Sequence, residues 1–419
     1  MEVERMQVQP TDFDVIVSGA GPAGTACALF LARSGHNVLV LEKDQFPRDK
    51  VCADNKTWKC LDIVKELGLW AEFERLPKRQ IDGVRVTSPS GNEMYTPLHR
   101  EDVRVKGPWF NVRRYHFDFM LAKACKKEKN IAFKEQCEVV RPLFDSKKPL
   151  QVIGVEFKNA QGRTEHAYAR VVVGADGSTS PIAQAVGVSP RVKGRYALNT
   201  RAYFENVHGV HNQCELYYLK GVCPGYFWIF PVDEKTCNVG VGMRMEDIER
   251  QGVSLDEKLK ELLLSPAFKE RFCNARQVTP LKQWGLSVLG QRRKCAGSGW
   301  VLVGDAGTFA MTFSGEGCGP GMRSGKIAAQ SLHTALQKKD VSEKSLRLYE
   351  ENLWRVLEPE VKGFRWLEFL LLHEGVFDWV IKKASKNKEL IELSSRMQND
   401  YTLARRLSSP ATLLKLLLT

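Results

Sequence analysis

The chain contains no stretch of about 18 or more uncharged apolar residues, which excludes an ordinary transmembrane helix. It has no low-complexity tract and no internal repeat. Its opening residues, Met1-Glu2-Val3-Glu4-Arg5, carry acids and no apolar core, so no signal peptide is expected. There is no CxxC pair and no Cys/His spacing that would hold a metal. The 11 cysteines are an odd number and are scattered. That pattern excludes a disulfide framework and a zinc site, and it predicts reduced thiols in a cytoplasmic protein. No nucleic-acid-binding motif is present, so no polynucleotide partner is expected.

What is present is an ordinary globular balance: 43% hydrophobic and 26% charged residues over 419 positions. That length suits two or three intertwined domains. The formal net charge is +13, from 62 basic and 49 acidic residues. Such a surface attracts anionic lipid or phosphorylated cofactors, or is simply basic.

Two glycine-rich segments stand far apart. The first is Gly19-Ala20-Gly21-Pro22-Ala23-Gly24. It follows an apolar, β-branched run, Phe13 to Ser18, that reads as a buried parallel strand. Thr25 to Ser34 then reads as a helix stopped by Gly35. Asn37 to Leu41 reads as a second strand ending at Glu42. Strand, GxGxxG, helix, strand and acid in that order form a dinucleotide-binding unit. Gly19 permits the tight turn, Gly21 lets backbone approach a pyrophosphate, and Gly24 lets helix and strand pack closely. The helix N-terminus offers N–H groups to phosphate. Glu42 is placed to accept the adenosine ribose hydroxyls, which disfavours a 2'-phosphate there.

The second segment is Gly304-Asp305-Ala306-Gly307, followed by Gly315-Glu316-Gly317. A strand from Trp300 delivers Asp305 at its C-terminal end, where ligands sit in open α/β sheets. Asp305 suits a ribityl hydroxyl. Met322 to Leu336 reads as a helix whose glycine-rich start can face the flavin's pyrimidine edge. A third turn, Gly174-Ala175-Asp176-Gly177, repeats the strand-then-aspartate logic. A long, bent ligand such as FAD needs such distant clamps.

These three turns resemble the glutathione-reductase-type FAD fold of the para-hydroxybenzoate hydroxylase superfamily. Val112-Arg113-Arg114-Tyr115-His116-Phe117-Asp118 resembles that superfamily's Val-x-Arg-x-x-Phe-Asp helix start. The resemblance implies an arginine near the FAD phosphates or ribityl chain. Arg114 fits the spacing, with Arg113 as the alternative.

Three further patterns resemble the geranylgeranyl reductase family. They are Lys50-Val51-Cys52-Ala53-Asp54, then Gly225-Tyr226-Phe227-Trp228-Ile229-Phe230-Pro231 with Asn238-Val239-Gly240-Val241-Gly242, and Gly315-Glu316-Gly317 leading to Ser324-Gly325. Residues 12 to 335 carry the resemblance. Val51, Ala53, Cys318 and Pro320 depart from it. It implies that Cys52, Ala53 and Asp54, with Gly315, Gly317 and Cys318, lie against the cofactor. The implied activity is saturation of isoprenoid C=C bonds by hydride from reduced FAD. The implied partners are an isoprenoid or prenylated lipid and an electron donor, either NAD(P)H or ferredoxin.

Such a reaction also needs a proton. Cys52 is the candidate donor; the alternative is a small packing residue. Alternation on a strand places Tyr226 and Trp228 on one face and Phe227 on the other. That face can wall an apolar tunnel, or be ordinary core. A flavin monooxygenase or halogenase on the same fold is a rival. The halogenase pattern Trp-x-Trp-x-Ile-Pro is absent here, and so is the hydroxylase ending Gly-x-Gly-x-Asn. A non-catalytic flavin electron carrier at a membrane surface is a third reading.

The expected architecture is α/β (α+β). A discontinuous FAD-binding Rossmann domain is assigned to 12–82, 100–190 and 290–337. An antiparallel-sheet substrate domain is assigned to 83–99 and 191–289, with one amphipathic helix over Leu255 to Phe272. A helical C-terminal region is assigned to 338–419. In it Trp354, Phe364, Trp366, Phe369, Leu370, Leu371, Phe377 and Trp379 crowd one stretch. Lys382, Lys383, Lys386 and Lys388 follow, with Leu413, Leu414, Leu416, Leu417 and Leu418 near the end. The tail either caps the cavity or docks peripherally on an anionic bilayer.

Overall fold

The computed structural model describes residues 12–98, 107–312, 314–400 and 403. The tail leucines, and the side chains of Trp366 and Leu370, lie outside the described residues.

The expected first strand forms over Phe13–Ser18, flanked in parallel by Thr164–Gly174 and Val38–Leu41. Ile131–Lys134 and Trp300–Leu302 extend this sheet in parallel on either side. Its central strands are β-branched and buried, as a parallel sheet covered on both faces requires. The glycine turn opens the helix Pro22–Arg33, which starts three residues before the expected Thr25 because Pro22 suits a first turn.

A second, nine-stranded sheet roofs the first. Tyr196–Glu205 pairs antiparallel with Thr236–Arg244, which pairs antiparallel with Tyr226–Pro231. The expected antiparallel sheet needs two corrections. Gly83–Thr87 joins Gln213–Tyr217 in parallel, and Ala310–Met311 joins Lys282–Leu289 in parallel. Ala310–Met311 comes from a stretch assigned to the FAD domain, so the chain crosses between the sheets at the second glycine segment.

The expected helix Leu255 to Phe272 is also corrected. It breaks into Leu255–Leu264 and Lys269–Phe272. Ser265 precedes Pro266 and takes an extended ψ of 154°, because proline disfavours helical backbone in the residue before it.

The expected helix at Met322 begins earlier, spanning Cys318–Gln337. It crosses Pro22–Arg33 closely: a Cβ on Gly325 would lie 2.3 Å from the Ala23 carbonyl oxygen. The C-terminal region is helical over Glu343–Leu371, Glu374–Ala384 and Lys388–Asn399. Buried Phe364, Leu371 and Phe377 pack it against Met311 of the second sheet and against Tyr218, just beyond the strand Gln213–Tyr217. Among the described residues, no helix is long and apolar enough to cross a membrane.

Candidate active site

One cavity of about 910 Å³ runs between the two sheets. At one end it meets the first glycine turn. Gly19 has φ +99°, and a Cβ there would lie 2.6 Å from the Ala175 carbonyl oxygen. Only glycine makes that turn. Gly21 faces open cavity, where a Cβ would meet nothing nearer than the Arg114 guanidinium at 4.0 Å. Gly24 does not line the cavity; its Cβ would lie 2.0 Å from the Gly19 carbonyl oxygen, so it serves packing. No side chain caps the helix Pro22–Arg33, which leaves its first N–H groups for a ligand.

Glu42 is aimed by two backbone donors: Ala20 N–H at 2.8 Å and Asp44 N–H at 3.2 Å. Its carboxylate lines the cavity at the end of the second strand. Arg114 also lines it and donates twice to buried Asp118, at 2.6 and 2.7 Å. Burial alone would raise the Asp118 carboxyl; the Arg114 and Arg48 guanidiniums outweigh it and hold it below the usual carboxylate range. The alternative, Arg113, is corrected by its surroundings. It lies over the Tyr203 ring at 4.3 Å, pairs with Asp233 at 3.4 Å and does not line the cavity.

The second glycine segment closes the middle of the cavity. Ala23, Asp305, Gly315, Gly317 and Cys318 all line it. Ser324 donates to the Gly321 carbonyl at 2.6 Å and accepts the Gly304 N–H at 2.9 Å, which ties the aspartate turn to the following helix. Glu316 turns away and accepts the Thr57 hydroxyl. Burial raises the Asp305 carboxyl, against the opposing pull of Lys50 and Arg114. The helix Cys318–Gln337 has no side-chain cap either, so its N–H groups face the same space.

Cys52 and Ala53 line the cavity opposite Cys318. Asp54 does not, which corrects its expected place against the cofactor. It is fully buried and accepts from Arg114 N–H at 3.1 Å, Tyr203 Oη–H at 2.6 Å and the Asn238 amide at 2.8 Å. Asp54 is therefore a tether for the loop. The Asn238 amide also donates to the Cys52 carbonyl at 2.6 Å, and its oxygen accepts the Trp228 indole N–H at 2.9 Å. At the loop's other end, fully buried Arg201 holds Asp49 at 2.6 Å. The Cys52 loop thus hangs from strands of the second sheet.

The Cys52 and Cys318 thiols both open onto this cavity. The neighbouring Cys318 thiol favours the Cys52 thiolate. Burial opposes it; nearby Lys56 and Arg114 and the Asp54 N–H at 3.3 Å support it. The Cys52 pKa is held well below the usual thiol range, and that of Cys318 is pushed above it.

Tyr226 and Trp228 share the cavity face, while Phe227 is buried on the other side with Phe268. Beyond them the cavity continues past Met243, Leu286, Leu371 and Leu372. Lys50 was not singled out as a site residue. Its ammonium is buried 3.0 Å from the Trp284 ring centre with no hydrogen-bond partner, and it lines the cavity. Burial lowers its pKa, Arg114 adds to that, and Asp305 opposes. Lys50 and Asn238 stood inside quoted motifs, whereas nothing in the sequence marked Trp284, Arg201 or Tyr203.

The uncapped helix ends, the open Gly21 rim, the aimed Glu42 and Asp305 carboxylates and the unpartnered Lys50 ammonium fit FAD along this cavity. Fold and site together define an FAD-dependent oxidoreductase. The family described as "FAD binding domain" matches residues 12–357. The digeranylgeranylglycerophospholipid reductase of Methanocella arvoryzae is 30% identical over 83% of this chain and 84% of its own. The menaquinone reductase of Mycobacterium tuberculosis is 30% identical over 76% of each chain. A geranylgeranyl bacteriochlorophyll reductase-like structure from Thermoplasma acidophilum superposes with TM-score 0.80 at 20% identity, covering 94% of this chain and 98% of that one. A flavin-dependent brominase superposes with TM-score 0.76 at 21% identity, over 94% and 97%, so the fold itself is not confined to reductases. The chain belongs to the geranylgeranyl reductase family of FAD-dependent oxidoreductases.

Proposed function

We propose that this protein saturates C=C bonds in the isoprenoid chain of a lipid. The observation that carries the reading is the continuity of the cavity. It runs from the dinucleotide turn, past Cys52 and Cys318, to an apolar wall of Tyr226, Trp228, Met243, Leu286 and Leu371. An unactivated alkene offers no polar handle, so such a wall binds it by burial alone. FAD, once reduced, supplies hydride to one alkene carbon. The chain's own residues supply the rest. Glu42, Arg114 and Asp305 would hold the cofactor, Asn238 and Asp54 fix the Cys52 loop, and a cavity thiol, Cys52 or Cys318, delivers the proton to the other carbon.

Substrate entry lies at the corner between the helices Glu343–Leu371 and Glu374–Ala384. Leu372 lines the cavity and is also 48% exposed. Around it Phe369, Val376 and Trp379 are 52%, 45% and 37% exposed. Exposed Lys382 and Lys386 follow, while Asp378 is turned inward onto Ser88 and Asn92. Apolar side chains at a cavity mouth beside lysines suit an anionic bilayer surface. Cytoplasmic protein docked peripherally there reaches a membrane lipid directly.

The test is single turnover under anaerobic conditions. The bound flavin is reduced chemically, or by NAD(P)H or ferredoxin to identify the donor, and a geranylgeranyl lipid is added. Flavin reoxidation with a gain of two hydrogens per bond is expected. Cys52→Ala keeps its yellow colour but loses most of that turnover. Product that gains oxygen instead, only in air, replaces this reading with a monooxygenase. Flavin that no isoprenoid acceptor reoxidises leaves an electron carrier.

A further inference from the structure

Among the described residues, seven buried side-chain polar atoms lack a hydrogen-bond partner, and four of them belong to one cluster: Lys50 Nζ, Trp284 Nε1, and Nε and Nη1 of Arg201. All four are donors. The Lys50 ammonium lies 3.0 Å from the Trp284 ring centre, and Arg201 donates to the Lys50 carbonyl at 3.2 Å. On the adjoining strands Tyr196–Glu205 and Lys282–Leu289, Arg201 pairs with Lys282 and Asn199 with Trp284. Asp49 is the one carboxylate, among the described residues, that accepts from these side chains, at 2.6 Å from Arg201 and 3.1 Å from Lys282. Asp54 and Asp305 attract from farther off. Three cations around one carboxylate leave an excess of two positive charges. Buried donors without an acceptor are costly, so this cluster is built for an anion. Its excess matches a phosphate monoester, which carries roughly −1.5 to −2 at pH 7.

The surroundings separate this cluster from the dinucleotide turn. FAD brings one pyrophosphate, and the Gly21 rim, the uncapped helix Pro22–Arg33 and Arg114 answer it beside the first sheet. The strands that carry Arg201, Lys282 and Trp284 belong to the second sheet. Lys282, Trp284, Leu286 and Val288 alternate along one strand, and all four line the cavity. That wall passes from charged to apolar within six residues, and Ala197 pairs with Leu286 beside it. A head group at Trp284 leaves an attached apolar chain along Leu286 and Val288.

We infer that Lys50 and Trp284 form a phosphoryl-binding subsite, in which the ammonium and the indole N–H donate to phosphoryl oxygens while Lys282 and buried Arg201 add positive charge. Two molecules can bring that group. One is the isoprenoid substrate, with its chain along Leu286 and Val288; this source rests on the proposed function. The other is a nicotinamide nucleotide that reduces the flavin.

The experiment is calorimetric titration of the FAD-loaded protein, kept oxidised so that nothing turns over. The probes are geranylgeranyl phosphate, geranylgeraniol and NADP+. Lys50→Met should weaken geranylgeranyl phosphate about tenfold or more, the loss of one charged hydrogen bond, and leave geranylgeraniol unchanged. Trp284→Phe keeps the ring against the ammonium and removes only the N–H. It should weaken the phosphate probe about threefold to tenfold. If NADP+ loses affinity in both variants and geranylgeranyl phosphate does not, the subsite stands and holds the donor's phosphate. Phosphate and alcohol weakened equally, or no phosphorylated probe weakened at all, would overturn the subsite. So would a Lys50→Met protein that sheds FAD yet binds the phosphorylated probes like the parent, because Lys50 would then serve the cofactor alone. A protein that binds as expected but reduces no isoprenoid fails the proposed function alone.

Discussion

Two glycines in one turn, three residues apart, should fail in different ways. At Gly24 an added Cβ meets the protein itself: the Gly19 carbonyl oxygen at 2.0 Å and the Ala175 Cβ at 3.0 Å. The first neighbour is backbone and cannot rotate away. The helix Pro22–Arg33 must lift from its strand, at a cost of about 3 kcal/mol, the upper end for overpacking. Alanine's better helix propensity returns about 1 kcal/mol. The net loss of about 2 kcal/mol lowers Tm by about 4 °C in a large domain. At Gly21 an added side chain meets open space, with Arg114 at 4.0 Å. Its φ of −70° and ψ of 179° suit a β-branched residue. Gly21→Val should therefore leave the melting of the FAD-free protein within about 0.5 kcal/mol of normal. What it removes is the backbone's approach to the pyrophosphate. A ligand at about 100 times its Kd stabilises a protein by about 2.7 kcal/mol. Thermal melts with and without FAD separate the two cases. Gly24→Ala should melt lower but still rise with FAD; Gly21→Val should melt normally and not respond. A yellow, FAD-responsive Gly21→Val would refute the placement of the cofactor. A Gly24→Ala that melts like the parent would refute the packing argument.

Asp54 gives a pH prediction. Burial, then the Cys52 charge, raises its carboxyl from 3.8 to about 6. The folded protein thus holds this proton more tightly than the unfolded chain, so its contribution is present below about pH 4 and is lost as pH rises through 6. Asp54→Asn should remove that slope. Urea unfolding at pH 4 and pH 7 should show the variant gaining about 3 kcal/mol on the parent across the window, and parallel curves would contradict it. The helix corner gives another. Phe369→Ser with Trp379→Ser should weaken binding to anionic lipid vesicles about tenfold or more, at about 1 kcal/mol for each half-exposed side chain, without changing flavin content. Added salt should weaken binding of the parent through Lys382 and Lys386. Co-sedimentation that is equal for both proteins would remove the corner as a docking surface.

The sequence by itself determined what lies within about thirty residues of a turn. The strand, glycine turn, helix, strand and acid from Phe13 to Glu42 are local geometry, because spacing alone sets where Gly19, Gly21 and Glu42 fall. The alternation of Tyr226 and Trp228 was legible for the same reason. The tertiary structure decided what those turns do together. Arg113 and Arg114 are adjacent in sequence, and only packing shows that one faces the cavity while the other lies over Tyr203. Asp54 reads like a ligand residue, yet Tyr203 and Asn238, on strands of the other sheet, turn it into a tether. Leu255 to Phe272 reads as one amphipathic helix until the residue before Pro266 is required to be extended. Lys50 becomes a buried, unpartnered cation only because Trp284 closes over it. Cys52 and Cys318 reach one cavity only because the two glycine segments are folded against each other. Periodicity and turn chemistry act through the nearby backbone. Burial and charge pairing depend on distance in space, which the chain's order does not carry.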